Sequence, residues 1–371
     1  MTKPKIIFHI GLERTGTTSF QRYCTNNTNI LKKYSVLYPT KNSAFSVDSH
    51  GPLVASYLPN DKPKDFAIRS VSSKRPALLR SLLGEIKKSS ADTILISSEH
   101  FSSRFGEAEI SQLAADFAGY DFRIAVIIRD HLSRFCSSYS TSIMSGGQRT
   151  IEEYADEIFA PDNKYARYRD TIIRWEEMFG RENISVFCHS RGKNIITTLF
   201  ENLIAPGKSL PPPSSYADNR SLGPSLTEAL RLTNIELSSH AKCGAPRTYL
   251  RWLRQRYVQV CLKQWLIRAA GDQSLDHWQL SEHNLRRLNE IAEIDRRWLE
   301  DRYGVRLPQP DGARYLPNHP AGQPASAEIL AKALVEQARG GRWDVIDAAT
   351  PALLPLMRTF GRWQAMRSTK S

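Results

Sequence analysis

The chain has 371 residues, 41% hydrophobic and 24% charged, with a formal net charge of +13. This fits a globular protein with a real core, built as one large α/β domain with an appendage or as two modest domains. No apolar run approaches the roughly 20 residues of a bilayer-spanning helix. The apolar stretch that begins at Ile6 is too short for a signal-peptide core and lacks a small-residue cleavage site, so a cytoplasmic protein is expected. The five cysteines, Cys24, Cys136, Cys188, Cys243 and Cys261, show no CxxC pair or zinc spacing and read as reduced thiols. The positive surplus calls for anionic company: nucleic acid, acidic polysaccharide, a phosphorylated cofactor or a membrane surface.

In chain order, four short, nearly continuous apolar runs read as buried parallel strands: Lys5 to Ile10, Thr93 to Ser97, Phe122 to Ile128 and Ile184 to Cys188. Helical patterning follows each, which predicts an α/β fold: a central parallel sheet flanked by helices, with ligands at the carboxyl ends of the strands. Between the first two strands lies a polar stretch, Asn42 to Asp61, and then helical spacing over Ala77 to Lys88. Beyond the fourth strand, Pro206 to Pro224 reads as a long surface loop, a candidate lid. Helices are expected over Pro246 to Ala270 and Ser281 to Tyr303. The domain is placed at 1–308, a linker at 309–325 and a helical tail at 326–371.

The first strand runs into Gly11-Leu12-Glu13-Arg14-Thr15-Gly16-Thr17-Thr18, and a helix opens at about Ser19. Two glycines four residues apart, between strand and helix, make a phosphate cradle: glycine allows the tight turn, and backbone N–H groups face an anion at the helix N-terminus. The nucleotide-triphosphatase version ends in Gly-Lys-Ser/Thr. Here Thr17 holds the lysine position and the cation is Arg14. No acidic strand end offers a magnesium site, because Ser97 and Ser98 lead to Glu99 and His100. A phosphosulfate, less charged than a triphosphate, can be held without a metal.

The third strand ends in Arg129, with Ser137 eight residues later and Tyr139 ten. An arginine at a strand end and a hydroxyl on the following helix can grip a second phosphate from two directions.

These two motifs, in this order, resemble those of the sulfotransferases that use 3′-phosphoadenosine 5′-phosphosulfate (PAPS), in particular their bacterial and carbohydrate-modifying members. The loop resembles the family's 5′-phosphosulfate loop, Lys/Arg-Xaa-Gly-Thr-Thr. The resemblance implies that Arg14, Thr15, Gly16, Thr17, Thr18 and Ser19 hold the phosphosulfate. Arg129 and Ser137 match the 3′-phosphate motif, with His131 at the usual proline. Glu99 occupies the place of the catalytic base, with His100 where a lysine is common, so Arg14, Glu99 and His100 are the catalytic candidates. Arginine brings a bidentate fork to the loop and is a poor proton donor. For Glu99 the alternative is a helix cap or a pair with Arg104. Asn219 to Leu230 and Leu285 to Gly304 resemble later segments of the bacterial members, and the likeness spans about residues 5 to 308, with gaps.

The resemblance implies a P-loop-like domain, PAPS as cofactor, adenosine 3′,5′-bisphosphate as product, no metal, and sulfation of a hydroxyl or amine on a polysaccharide, glycolipid or small metabolite. Nucleic acid is not an expected partner. The stretch 247–268 carries Arg251, Arg254, Arg256, Lys263 and Arg268 among aromatic and aliphatic residues, with no acidic one. It predicts a peripheral contact with an anionic inner-membrane face, a groove for an acidic glycan, or a solvated helix packed by its aromatic side. Ser190, Arg191 and Lys193 have two readings, nucleotide contact or helix capping. The rival functions are a nucleotide-dependent kinase with an atypical loop and a non-catalytic anion- or membrane-binding module.

Overall fold

The computed structural model describes residues 4–39, 48–59, 75–189, 194–208, 222–239 and 278–308. The expected helix at Pro246 to Ala270, the basic stretch 247–268, Ser190 to Lys193, most of the candidate lid and the tail lie outside the described residues.

The chain folds in the order β1 (Lys5–His9), α1 (Thr17–Asn26), α2 (Thr28–Lys33), β2 (Val36–Leu37), α3 (Gly51–Tyr57), α4 (Arg75–Lys88), β3 (Thr93–Ser97), α5 (His100–Arg104), α6 (Glu107–Asp116) and β4 (Asp121–Ile128). It continues with α7 (His131–Met144), α8 (Ile151–Ile158), α9 (Tyr168–Phe179), β5 (Ile184–Cys188), α10 (Ile195–Leu199), α11 (Pro224–Ser239) and α12 (Glu282–Tyr303). The five strands form one parallel sheet in the order β2-β3-β1-β4-β5. The protein is therefore α/β, a central parallel sheet flanked by helices, as the apolar runs predict. Four strands fall within a residue or so of their expected bounds; β2, two residues at the sheet edge, carries too little pattern to be read. Within the polar stretch before α4, Gly51–Tyr57 is a helix, with Pro52 in its first turn, where a missing N–H costs nothing.

Parallel strands covered on both faces must be apolar at every position. Alternate residues then separate cleanly: Ile6, Phe8, Ile94, Ile96, Ile124, Val126 and Ile128 pack on one side. Ile7, Leu95, Ala125 and Ile127 pack on the other. The first face is covered by α3, α4, α5, α6 and α9, with Trp175 fully buried and stacked on Phe105 and Phe179. The second is covered by α1, α2 and α10 through Phe20, Tyr23, Leu31, Ile196 and Leu199.

By internal contacts the chain divides into two compact units, residues 1–135, 158–219 and 286–310 in one and the remainder in the other. The first unit contains the sheet. In the second, Glu152 accepts hydrogen bonds from the Ser281 N–H and hydroxyl and from Asn284 Nδ2, fixing the start of α12. Asn234 Nδ2 ties α11 to the carbonyls of Ile143 and Gly147. No helix among the described residues is long and apolar enough to cross a membrane.

Two buried histidines lock the sheet's upper edge. His9, at the end of β1, meets the Ser97 hydroxyl at 2.8 Å through Nδ1. His50 accepts the Ser97 N–H at 3.1 Å on Nδ1, which leaves Nε2 to donate to the Pro39 carbonyl at 3.1 Å. Burial pushes His9 down to about 3 and His50 down to about 4, from an ordinary 6.5, so both are neutral in the fold. Between pH 6.5 and 4 the unfolded chain therefore binds up to two more protons than the folded one. Stability is full above that window and falls with pH inside it, by up to about 2.7 kcal/mol per unit from this pair. Urea unfolding at stepped pH should show the fall, and His50→Gln should reduce its slope by about 1.4 kcal/mol per unit.

Candidate functional site

The ends of four neighbouring strands, β3, β1, β4 and β5, carry Glu99, the Gly11–Gly16 loop, Arg129 and His189 respectively, all in the first unit. The loop leaves β1 leaning on β4: the Ile10 N–H donates to the Ala125 carbonyl at 2.9 Å and the Leu12 N–H to that of Ile127 at 3.0 Å. A side chain at Gly11 would place its Cβ 2.7 Å from His9 Nε2 and 3.0 Å from Thr17 Cγ2, so only glycine fits. Gly16 has φ 87° and turns the chain into α1, whose first turn holds no acidic residue and leaves its N-terminus open to an anion.

Arg14 takes φ 71°, a left-handed conformation that costs a non-glycine residue roughly 1–2 kcal/mol. Both neighbours are anchored. The Glu13 carbonyl accepts from Arg134 Nε at 3.1 Å, and the fully buried Thr15 gives its hydroxyl to the Leu12 carbonyl at 2.5 Å. The Thr15 side chain thus belongs to the loop's own scaffold. Thr17 is buried at the start of α1, and Thr18 and Ser19 follow, half-buried, in its first turn.

Electrostatics ties these strand ends together. Burial pulls the Arg14 guanidinium below its ordinary value and Arg129 acts in the same direction, while Tyr165, Glu13 and Glu99 oppose it. Arg14 is thus within electrostatic reach of both Arg129 and Glu99. His189, whose N–H donates to the Ile128 carbonyl at 2.7 Å, lies 3.4 Å from where a Gly16 Cβ would sit. Burial, and then Arg129, hold it below the usual histidine range.

Glu99 stands at the N-cap position of α5, yet its side chain makes no cap bond. Oε2 instead accepts from Gln21 Nε2 at 2.9 Å. Arg104 Nη1 lies 3.8 Å from Glu13 Oε1, and His100 Nδ1 lies 3.9 Å from the same oxygen. His100 thus faces the loop's own glutamate.

Arg129 is supported from beneath. Its carbonyl accepts from the Tyr168 hydroxyl at 2.8 Å. Asp295, buried on α12, accepts from His131 Nε2 at 2.8 Å and from the N–H groups of Tyr168 and Arg169 at 2.8 and 3.0 Å. Asp130 caps α7 through the Ser133 N–H at 2.8 Å. Ser137 lies in the second unit, buried in the middle of α7 rather than near its start, and the Tyr139 hydroxyl there donates to the Arg149 carbonyl. No group of three or more histidine, cysteine, aspartate or glutamate side chains able to hold a metal occurs among the described residues.

Gln21, Arg134, His189 and Asp295 escape sequence reasoning. Gln21 alone leaves a trace, a polar residue on the buried face of a short helix just after a glycine loop. The partners of Arg134 and Asp295 are set by the fold.

No family model matches the chain, and no curated protein matches it. Among solved structures it is similar to a sulfotransferase from Alicyclobacillus acidocaldarius, at 12% sequence identity and a TM-score of 0.39, over 66% of this chain and 98% of that one. A likeness so loose carries no chemistry, and the functional reading rests on the residues.

Proposed function

We propose that the protein is a sulfotransferase that moves the sulfuryl group of PAPS to a hydroxyl or amine of an acceptor. The observation that carries this reading is the placement of the glycine loop with Arg14, of Glu99 and of Arg129 just past the ends of the adjacent strands β1, β3 and β4: two cations and one carboxylate. The residues fit such a nucleotide. The Gly11 floor that a Cβ would fill, the open α1 N-terminus and Arg14 suit a phosphosulfate, and Arg129, one strand away, suits a 3′-phosphate. Bound there, the cofactor supplies an activated sulfuryl group.

The chain's own residues do the rest. Amides of the loop and of the α1 start bind the 5′ side. Arg14, always charged, holds the negative charge that grows on the departing phosphate. Arg129 anchors the 3′-phosphate. Glu99 takes the proton of the attacking hydroxyl. Acceptors expected from the resemblance are polysaccharides, glycolipids or small hydroxylated metabolites.

Glu99→Gln should leave the affinity for adenosine 3′,5′-bisphosphate nearly intact while lowering turnover about 10²–10⁴-fold; equal turnover removes the base assignment. Arg129→Ala should weaken that affinity about 10–100-fold by calorimetry, the scale of one lost charge-assisted contact. Adenosine 3′,5′-bisphosphate should raise the melting temperature more than ATP with Mg²⁺ does. The reverse order would replace this reading with a kinase.

A further inference from the structure

The carboxylate of Glu99 is held by a directed chain of hydrogen bonds that the loop motif does not contain. Gln21, on α1 and only 3% exposed, places Nε2 2.9 Å from Glu99 Oε2 and 3.3 Å from Ser97 Oγ. A carboxylate only accepts, so the amide nitrogen must face it. The second amide hydrogen then goes to the Ser97 oxygen, which also lies 2.8 Å from His9 Nδ1. His9 Nε2 is a buried atom with no hydrogen-bond partner, so Nδ1 is the ring's one link to the chain. The Glu99 backbone is fixed too, because its carbonyl accepts the Ser102 hydroxyl at 2.7 Å. Among the described residues, Oε1 of Glu99 accepts no hydrogen bond.

We propose that Gln21 is the positioning residue for Glu99: its amide occupies Oε2 and leaves Oε1 as the oxygen that receives the acceptor's proton. The inference rests on the sulfotransferase reading. As the acceptor oxygen bonds to sulfur, its O–H bond breaks and the proton goes to Oε1. The electron pair of the broken sulfur–oxygen bond stays on the 5′-phosphate, beside Arg14. Ser97 and His9 form the buried end of the chain and keep the Gln21 amide from rotating, which would turn its oxygen toward the carboxylate.

Gln21→Met keeps the side chain's length and removes both donors. Turnover, followed as adenosine 3′,5′-bisphosphate released from PAPS with water as acceptor, should fall about tenfold, the scale of one hydrogen bond to a charged group. KM for PAPS should stay within about twofold, since the carboxylate and not the cradle is disturbed. In a Glu99→Gln background, Gln21→Met should cost nothing further, because the two residues act as one unit. A merely structural role would give additive losses, and additivity overturns the proposal. A crystal structure of Gln21→Met supplies an arm independent of activity: the Glu99 carboxylate should leave its wild-type orientation, and an unmoved carboxylate also overturns the proposal. If wild-type protein neither binds adenosine 3′,5′-bisphosphate nor turns over PAPS, the sulfotransferase reading fails and takes the proton-acceptor role of Oε1 with it. The crystal structure then still decides whether Gln21 positions Glu99.

Discussion

β1 is hydrogen-bonded along both edges, with His9 opposite Ser97 on β3 and opposite Ala125 on β4. Every functional side chain of the first unit depends on that double register. A slip of one residue on either side would turn an apolar strand face toward the wrong helices and carry Glu99 or Arg129 about 3.3 Å out of place. The full burial of Ile6, Ile7 and Phe8 forbids such a slip, since none of the three could reach solvent without exposing a core side chain. The packing of the sheet and the spacing of the charges are therefore one constraint.

The charges so placed are of two kinds, and the histidines around them are neither. Arg14 and Arg129 keep their charge at any working pH. His9, His50 and His189 are all held below the ordinary histidine range by burial, and His189 by Arg129 as well. The neutral His9 ring keeps one hydrogen bond with the Ser97 hydroxyl. Under the proposed function the site separates two jobs that one residue type could otherwise mix: fixed cations would bind anions, while neutral rings pack and orient polar groups.

Much of this was legible in the sequence, for a physical reason. Strands covered on both faces must be continuous apolar runs, so β1, β3, β4 and β5 announce themselves, and the residues just past them are automatically candidates for a site. Arg14, Glu99 and Arg129 follow from that rule and from the chemistry of their side chains. What stayed hidden depends on contacts between distant residues: Gln21 meets Glu99 across 78 positions and His131 meets Asp295 across 164. No local spacing encodes either. The strand order was equally hidden, because a parallel sheet repeats the same pattern in any order. α3 was missed for another reason: seven residues after a glycine and beside a proline resemble a turn until Leu53 and Val54 are seen in the core.

The strained residue at the centre of the loop completes the argument. A left-handed conformation at Arg14 persists only if its surroundings over-determine it. Those surroundings are the Arg134 contact to the Glu13 carbonyl on one side and the Thr15 bond to the Leu12 carbonyl on the other. Arg134 is itself clamped, donating to the Tyr165 carbonyl at 2.7 Å and lying over the Tyr165 ring at 4.0 Å. A glycine at position 14 would remove the strain but also the cation. An arginine held this way keeps its backbone in place before any ligand arrives. Under the proposed function, an anion entering the cradle would not have to order the loop first. Freedom surrendered in folding is freedom that binding need not remove, so a pre-set backbone favours whatever ligand the loop takes.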